Sequence, residues 1–514
     1  MIYRLKEARL HHGNSSTVLN YLCLTILLFG IFVRLVQYFS NRSLWGDETY
    51  LALNIVNRSY LELLQPLDYS QAAPFGFLWV EKLAIQLLGN SEYSLRLFPL
   101  IAGIVSLIAL YKLGKGRVSA IALPVALVLF ACLRHPLYYA TEVKQYSSDV
   151  MVALLLCLLL IPLQDKILGK GHTLLIGLLG TLAICLSHPA IFTLGGVAVA
   201  SLVTTSAERR KAVFLNRLPA YFIWIASFGV VYYLTIANAM SSESLQNAWG
   251  PEYPASMFDI VWLLDSLGRF FYRPLGFHGK TDGIAIAAFV IGCIACFRKH
   301  RVMFLVLIAP MVATLTATYL HKYPFRGRLV LFLTPFFILI MAEGLAFLLA
   351  QFQQWRRSWA NKVWTIAGAV LACLVLLPAI AQATDFLISP RKVQEIRPVI
   401  EYIKTHQAPT DTIYLNDGVA VHQFRYYADR YGYSRSDYVE GYADFMNPEA
   451  FSLQNWENFK QQTSQLQGQP RVWFLFSGLK DSQEVLVKPR LDQIGQELDF
   501  FHQPGAFTYL YQLE

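Results

Sequence analysis

The strongest constraint on this chain is a succession of apolar runs, each about as long as a bilayer is thick. A helix needs roughly 20 apolar residues to cross the hydrocarbon, and runs of that order recur at 17–38, 93–111, 118–134, 147–163, 172–187, 189–206, 214–237, 281–297, 302–320, 328–350 and 363–382. Backbone polar groups in lipid must be bonded within their own segment, so such runs become helices. The expected fold class is therefore mainly α, a polytopic helical membrane protein of about 11 spans. Only 15% of residues are charged and 55% are hydrophobic, which excludes an ordinary soluble protein of this length.

The net charge of +9 is spread in short clusters between the runs rather than along one stripe, so a nucleic-acid partner is not expected. With the N-terminus inside, the inner segments carry Lys112, Lys115 and Arg117, then Lys166 and Lys170, then Arg209, Arg210 and Lys211, then Arg298, Lys299 and Arg301, then Arg356, Arg357 and Lys362. That is the positive-inside pattern. It predicts an integral protein of a bacterial plasma membrane, with a cytoplasmic N-terminus and an extracytoplasmic C-terminus. The first run follows Arg4, Lys6 and Arg9 without a small-residue cleavage site and reads as an uncleaved span. The stretch 172–206, interrupted by His188 and Pro189, is two spans or one kinked span with a re-entrant piece. All seven cysteines lie in or beside apolar segments, which argues against a disulfide framework, and Cys293 with Cys296 reads as helix packing.

Residues 74–89 are too short and too mixed to span and predict an interfacial helix. Beyond 384 the pattern alternates: a helix to about 405, a strand over 412–415, a helix near 419–429, a strand over 471–476, a helix near 482–495 and further strands. This predicts a small α/β domain. The expected division is a membrane domain over 1–383, including the first outer loop 39–92, and an extracytoplasmic α/β domain over 384–514.

Chemistry gathers in the outer loops. Asp47 and Glu48 follow the first span; Glu142, Lys144, Tyr146 and Asp149 lead into the fourth; Arg269, Tyr272, Arg273 and His278 precede the eighth; His321, Lys322, Tyr323, Arg326 and Arg328 separate the ninth and tenth. Outer loops are ordinarily poor in Lys and Arg, so a basic one suggests an anion to bind. A phosphate at headgroup depth suits Arg and Lys. If that phosphate carries a sugar, an acceptor hydroxyl can attack the anomeric carbon with Asp47 as general base, while basic groups stabilise the departing phosphate. Neither a dinucleotide fingerprint nor a P-loop is present.

The segments Leu44–Tyr50 (LWGDETY), Ala73–Phe77 with Glu81 and Lys82, Arg96–Pro99, Glu142–Asp149 (EVKQYSSD) and Tyr323–Leu333 (YPFRGRLVLFL) together resemble the glycosyltransferase family 39 superfamily over roughly residues 17–380. That group has the type-C membrane fold and includes protein O-mannosyltransferases and the aminoarabinose transferases that act on lipid A. The resemblance implies inverting transfer from a polyprenyl-phosphate-linked sugar to a glycan, lipid or protein acceptor. It makes Asp47 the catalytic base, Glu48 its neighbour and Asp149 the second acidic position. Many relatives carry a basic residue before the paired prolines of the first loop, where this chain has Ala73, so phosphate binding passes to Lys82, Arg326 or Arg328. The remaining contacts are expected from Glu142, Lys144, Tyr146, Arg269, Arg273, His321 and Tyr323.

No cofactor is expected. His135, His278 and His321 match no compact ligand spacing, which leaves a divalent metal as an alternative. Glu343 reads as a packing or helix-pairing acid, Arg34 as snorkelling to the outer interface, and His188 as a turn residue, with contact to donor or acceptor as the alternative. In the tail Asp411, Asp417, Tyr426, Tyr427 and Arg430 read as a solvated surface, with glycan binding as the alternative. Two rival functions are a transporter or flippase of lipid-linked sugars, and a non-catalytic assembly subunit.

Overall fold

The structure is a computed structural model describing residues 2–241, 243–350, 359–416, 418–441, 471–479 and 481–513, with isolated positions between 457 and 466. Arg356, Arg357 and Asp417 lie outside the described residues. The helices are α1 (Ile2–Phe39), α2 (Gly46–Asn57), α3 (Phe75–Leu88), α4 (Glu92–Gly114), α5 (Ala122–Cys132), α6 (Arg134–Tyr138), α7 (Tyr146–Leu160), α8 (Lys170–Leu186), α9 (Ala190–Thr204) and α10 (Ala207–Val231). There follow α11 (Ala237–Ser241), α12 (Glu243–Trp249), α13 (Ile260–Phe270), α14 (Lys280–Lys299), α15 (Arg301–Tyr319), α16 (Thr334–Ala350), α17 (Trp359–Ile388), α18 (Ile396–His406), α19 (Val419–Ala428) and α20 (Asp481–Leu491).

Every apolar run is helical. Among the described residues eight helices are long and apolar enough to cross a membrane. The run 118–134 does not form one straight span: α5 and the α6 turn meet at 60°. Pro136 has no N–H to offer the carbonyl of Cys132, and Leu133 between them is extended. The run at 172–206 forms two helices, α8 and α9, of 17 and 15 residues.

The chain folds into two compact units. The first comprises Met1–Ser40, Ser59–Gly89 and Tyr93–Pro390, the second Asn41–Arg58, Asn90–Glu92 and Arg391–Glu514. This differs from the division expected at 383/384, which put all of 39–92 with the spans.

In the first unit α16 is the central helix, apolar on all sides and buried along nearly its whole length. It crosses α14 at backbone contact, where a Cβ on Gly344 would lie 2.2 Å from the Ala288 carbonyl oxygen, so only glycine fits. Glu343 pairs helices, as its position suggested: the backbone N–H and hydroxyl of Ser119 both donate to its carboxylate, and Lys299 reaches that hydroxyl at 3.0 Å. Arg34 departs from expectation. It does not snorkel but is fully buried, donating to Gly30 O at 2.9 Å and to Phe130 O at 3.2 Å. The Phe130 carbonyl belongs to the last turn of α5, which has no intrahelical donor left for it, so the guanidinium serves as that helix's C-terminal cap. The expected interfacial helix is α3, with Trp79, Leu83, Leu87 and Leu88 exposed.

The second unit is the α/β domain. Strands β1 (Thr412–Leu415), β2 (Tyr438–Glu440), β3 (Val472–Ser477), β4 (Gly495–Gln503) and β5 (Ala506–Leu513) form one sheet in the order β2-β1-β3-β5-β4, with β1 parallel to β2 and β3 and the remaining pairs antiparallel. Central β3 is buried at every position, hence its continuous apolar run. Helix α18 presents Ile396, Val399, Ile400 and Ile403, all fully buried, at the spacing of one helical face. Several polar residues read as surface are spent in folding. Asp411 accepts the Trp473 indole N–H at 2.9 Å, Tyr427 accepts the Leu44 N–H at 2.9 Å, and Tyr426 donates to Asn90 at 2.9 Å.

Glu440, at the end of β2, is gripped by Arg425 through two bonds of 2.8 and 2.6 Å and by Arg435 at 3.0 Å. Burial alone would raise its carboxyl, but these guanidiniums outweigh burial and hold it below the usual carboxylate value. A depressed acid contributes stability above its unfolded pKa and loses it as pH falls through the folded one. The expected result is that Glu440→Gln costs about 1 kcal/mol at pH 7, and that this difference shrinks below about pH 4.5. Thermal unfolding of both proteins across that range checks it; a gap independent of pH overturns it.

Candidate active site

The acidic pair belongs to the second unit. Trp45 is extended (φ −81°, ψ 166°) and α2 begins at Gly46, which puts Asp47 and Glu48 in the first helical turn, where the helix dipole favours anions. The two acids then diverge. Glu48 is fully buried, its carboxylate 3.7 Å from the buried guanidinium of Arg42, and it accepts the Trp45 N–H at 3.4 Å. Asp47 is half-buried and is the member of the pair with solvent access. Thr49 turns its hydroxyl back to the carbonyls of Leu44 and Trp45 at 3.3 and 3.2 Å, which tightens the entry to α2.

The first unit contains a cavity of about 530 Å³ that gathers four of the expected residues, Tyr146, Asp149, His321 and Tyr323. Asp149 sits in the first turn of α7 with the Ser187 hydroxyl beside its carboxylate, and its buried Oδ1 has no hydrogen bond of good geometry among the described residues. A buried acceptor without a donor is costly unless something else supplies one. Tyr323 donates to the Leu329 carbonyl at 2.8 Å, and burial raises its hydroxyl well above the ordinary tyrosine value, so it remains a neutral donor. His321 adopts φ 56°, a left-handed conformation rare for a residue with a side chain. It is held there by Pro254 O at 3.0 Å from Nε2 and by stacking on Tyr253, 5.0 Å between centroids. Strain maintained by such contacts is a mark of functional sites. Beside it Lys322 is exposed into the cavity, and among the described residues its ammonium has no ion pair or hydrogen bond.

Arg328 lies over the Tyr146 ring at 5.4 Å. Lys144 donates to Gln71, and Glu142 is fully buried beneath the same loop. Other expected phosphate ligands are engaged elsewhere. Arg326 pairs with Glu252 at 2.6 Å, Arg269 with Asp265 one turn back on α13 at 2.5 Å, and exposed Arg273 covers Tyr272 at 5.5 Å. Lys82 on α3 is half-buried, and burial lowers its ammonium.

Sequence reasoning did not single out Trp249 or Tyr253, and it put a turn role for His188 ahead of a substrate contact; all three line the cavity. Burial pushes His188 down to about 4, so it is neutral at pH 7, with Nε2 3.2 Å from the Thr235 hydroxyl. The interrupting His188-Pro189 pair was the available signal. Among the described residues no three His, Cys, Asp or Glu side chains are grouped closely enough to hold a metal ion.

These elements define a polytopic helical membrane protein with a small α/β domain. Residues 72–233 match the family described as dolichyl-phosphate-mannose-protein mannosyltransferase. The apo ArnT of Cupriavidus metallidurans superimposes with a TM-score of 0.50 at 13% identity, over 94% of this chain and 97% of that one. ArnT from the same organism bound to undecaprenyl phosphate gives 0.51 at 13% identity, over the same shares. No curated protein sequence matches. The likeness to ArnT shows the fold, in accord with the type-C membrane fold expected from the sequence motifs.

Proposed function

We propose that the protein is an inverting glycosyltransferase that takes a sugar from polyprenyl phosphate and delivers it to a glycan, lipid or protein acceptor outside a bacterial plasma membrane, its N-terminus in the cytoplasm. The observation that carries this reading is the cavity of the first unit, where Lys322, without an ion pair among the described residues, shares the walls with Asp149 and the aromatics Tyr146, Tyr253 and Trp249. A point cation suits the phosphate, and aromatic faces suit a sugar ring or an isoprenoid. The neighbour bound to undecaprenyl phosphate supports the same donor class.

In the reaction an acceptor hydroxyl oxygen attacks the anomeric carbon from the side opposite the phosphate. The bond from that carbon to the phosphate oxygen breaks, and polyprenyl phosphate leaves with the electron pair. Lys322 and Arg328 stabilise the charge on the departing phosphate, and the hydroxyl proton passes to a carboxylate, the role that the motif resemblance gives to Asp47. Glu48 positions Asp47 by fixing the start of α2. Asp149, whose Oδ1 has no hydrogen bond of good geometry among the described residues, contacts a sugar hydroxyl.

Mass spectrometry of membrane lipids in a deletion strain tests the reading. A polyprenyl-phosphate sugar is expected to accumulate, and an unchanged lipid profile overturns it. At residue level Lys322→Gln is expected to lower kcat/KM for the donor by about ten- to a hundredfold, the loss of one charged hydrogen bond. Arg326→Gln, already neutralised by Glu252, should change it less than about threefold. Equal effects of the two substitutions remove Lys322 from the site.

A further inference from the structure

The backbone leading into Asp47 is held by two neutral amides from distant parts of the second unit. Gly46 N–H donates to Gln394 Oε1 at 2.7 Å, and Gln423 Nε2 donates to Leu44 O at 2.7 Å. Both amide orientations are forced, because a backbone N–H can only donate and a carbonyl can only accept. Gln423 Nε2 also reaches Gln394 Oε1 at 3.1 Å, and Gln423 Oε1 accepts from the Ser477 hydroxyl at 2.6 Å. Gln423 and Ser477 are almost completely buried and Gln394 nearly so. Gly46 is pressed against α19, where a Cβ would meet Val419 at 2.8 Å. Glu395 adds a bond from Ser43 N–H at 3.2 Å. Residues 43, 44 and 46 are thus each tied down immediately before Asp47.

We propose that Gln394 and Gln423 are positioning residues for Asp47, and that the C-terminal α/β domain acts in the reaction by holding the turn that carries the base. The proposal rests on the reading of Asp47 as general base. A network whose members are all satisfied in a buried setting specifies one backbone geometry, and misplacement of a reacting group by about 1 Å costs on the order of a hundredfold in rate.

Two nearly isosteric substitutions have opposite expected outcomes. Gln394→Glu keeps the oxygen that accepts from Gly46 and from Gln423. Gln423→Glu replaces a donor by an acceptor facing the Leu44 and Gln394 oxygens. The full-length protein in lipid nanodiscs is assayed with synthetic farnesyl-phosphate-linked mannose, glucose and arabinose as donor probes, with a membrane glycolipid extract as acceptor, and by hydrogen–deuterium exchange over residues 44–49. Gln423→Glu and Gln394→Leu are expected to lower kcat by about ten- to a hundredfold, with KM within twofold and exchange over 44–49 at least tenfold faster. Gln394→Glu is expected to stay within threefold of the parent in both readouts, which also shows that the site tolerates substitution without unfolding. Parental kcat and exchange in Gln423→Glu, or a Gln394→Glu variant as impaired as Gln394→Leu, overturns the proposal. If the parent consumes none of the donors, the functional reading fails on its own and the exchange data alone decide the positioning role.

Discussion

Asp47→Asn is expected to lower kcat by about 10²- to 10⁴-fold, the contribution of a positioned general base, while leaving α2 and the fold in place. The amide matches the carboxylate in shape but cannot take a proton, and the α2 N-terminus keeps its Glu48 bond to Trp45 N–H. Steady-state transfer from a polyprenyl-phosphate sugar, with thermal unfolding in parallel, separates the effects. The neighbouring amide swap is expected to act differently. Glu48→Gln removes the carboxylate 3.7 Å from the buried Arg42 guanidinium, so its loss falls first on stability. An Asp47→Asn enzyme that keeps more than a tenth of parental kcat would assign the base elsewhere. Asp149, the acid lining the cavity, is the next candidate, and Asp149→Asn then carries the loss.

Glu92→Gln is expected to damage the second unit severely. Glu92 is 3% exposed and receives Arg397 at 3.0 Å and Arg430 at 2.7 Å. Each arginine also holds a second group, Arg397 the Asn41 carbonyl at 2.6 Å and Arg430 the Tyr426 hydroxyl at 2.7 Å. Neutralising the carboxylate leaves two guanidiniums converging on an amide. The cost expected for an uncompensated buried charge is about 3–5 kcal/mol, a fall in Tm on the order of 10 °C for a unit of this size. Arg435→Ala, more than half exposed, is the control and should cost less than about 1 kcal/mol. A Glu92→Gln protein melting within about 2 °C of the parent would mean that this cluster is not what ties 90–92 to the C-terminal segment.

Lipid explains why so much of the architecture was legible from sequence. A solvent that cannot hydrogen-bond forces each long apolar run to become a helix, and all those marked out are helical. The α/β domain was equally open to reading, since Thr412–Leu415 and Val472–Ser477 carry the continuous apolar pattern of buried strands. Arg34 was misread because hydropathy treats arginine as a charge seeking water, whereas here helix-end carbonyls solvate it. Spacing along the chain does not disclose the pairing of Arg326 with the distant Glu252, whereas the pairing of Arg269 with Asp265 is at the one-turn spacing that the sequence shows. The attachment of Asn41–Arg58 to the C-terminal segment had no sequence signature at all. It runs through Gln394 and Gln423, uncharged amides 348 and 379 positions from their backbone partners.

The two short helices α8 and α9 bear on how a lipid-linked substrate arrives. At 1.5 Å per residue they rise about 26 and 23 Å, against roughly 30 Å of hydrocarbon. If both cross the bilayer, they impose hydrophobic mismatch on it, and it thins beside them or wets their connecting turn. That turn is His188-Pro189, on the cavity wall. Under the proposed function, a locally thin leaflet there would shorten the climb of an isoprenoid phosphate from the headgroup plane to Lys322, and membrane thickness itself would become a variable that sets how readily the cavity fills.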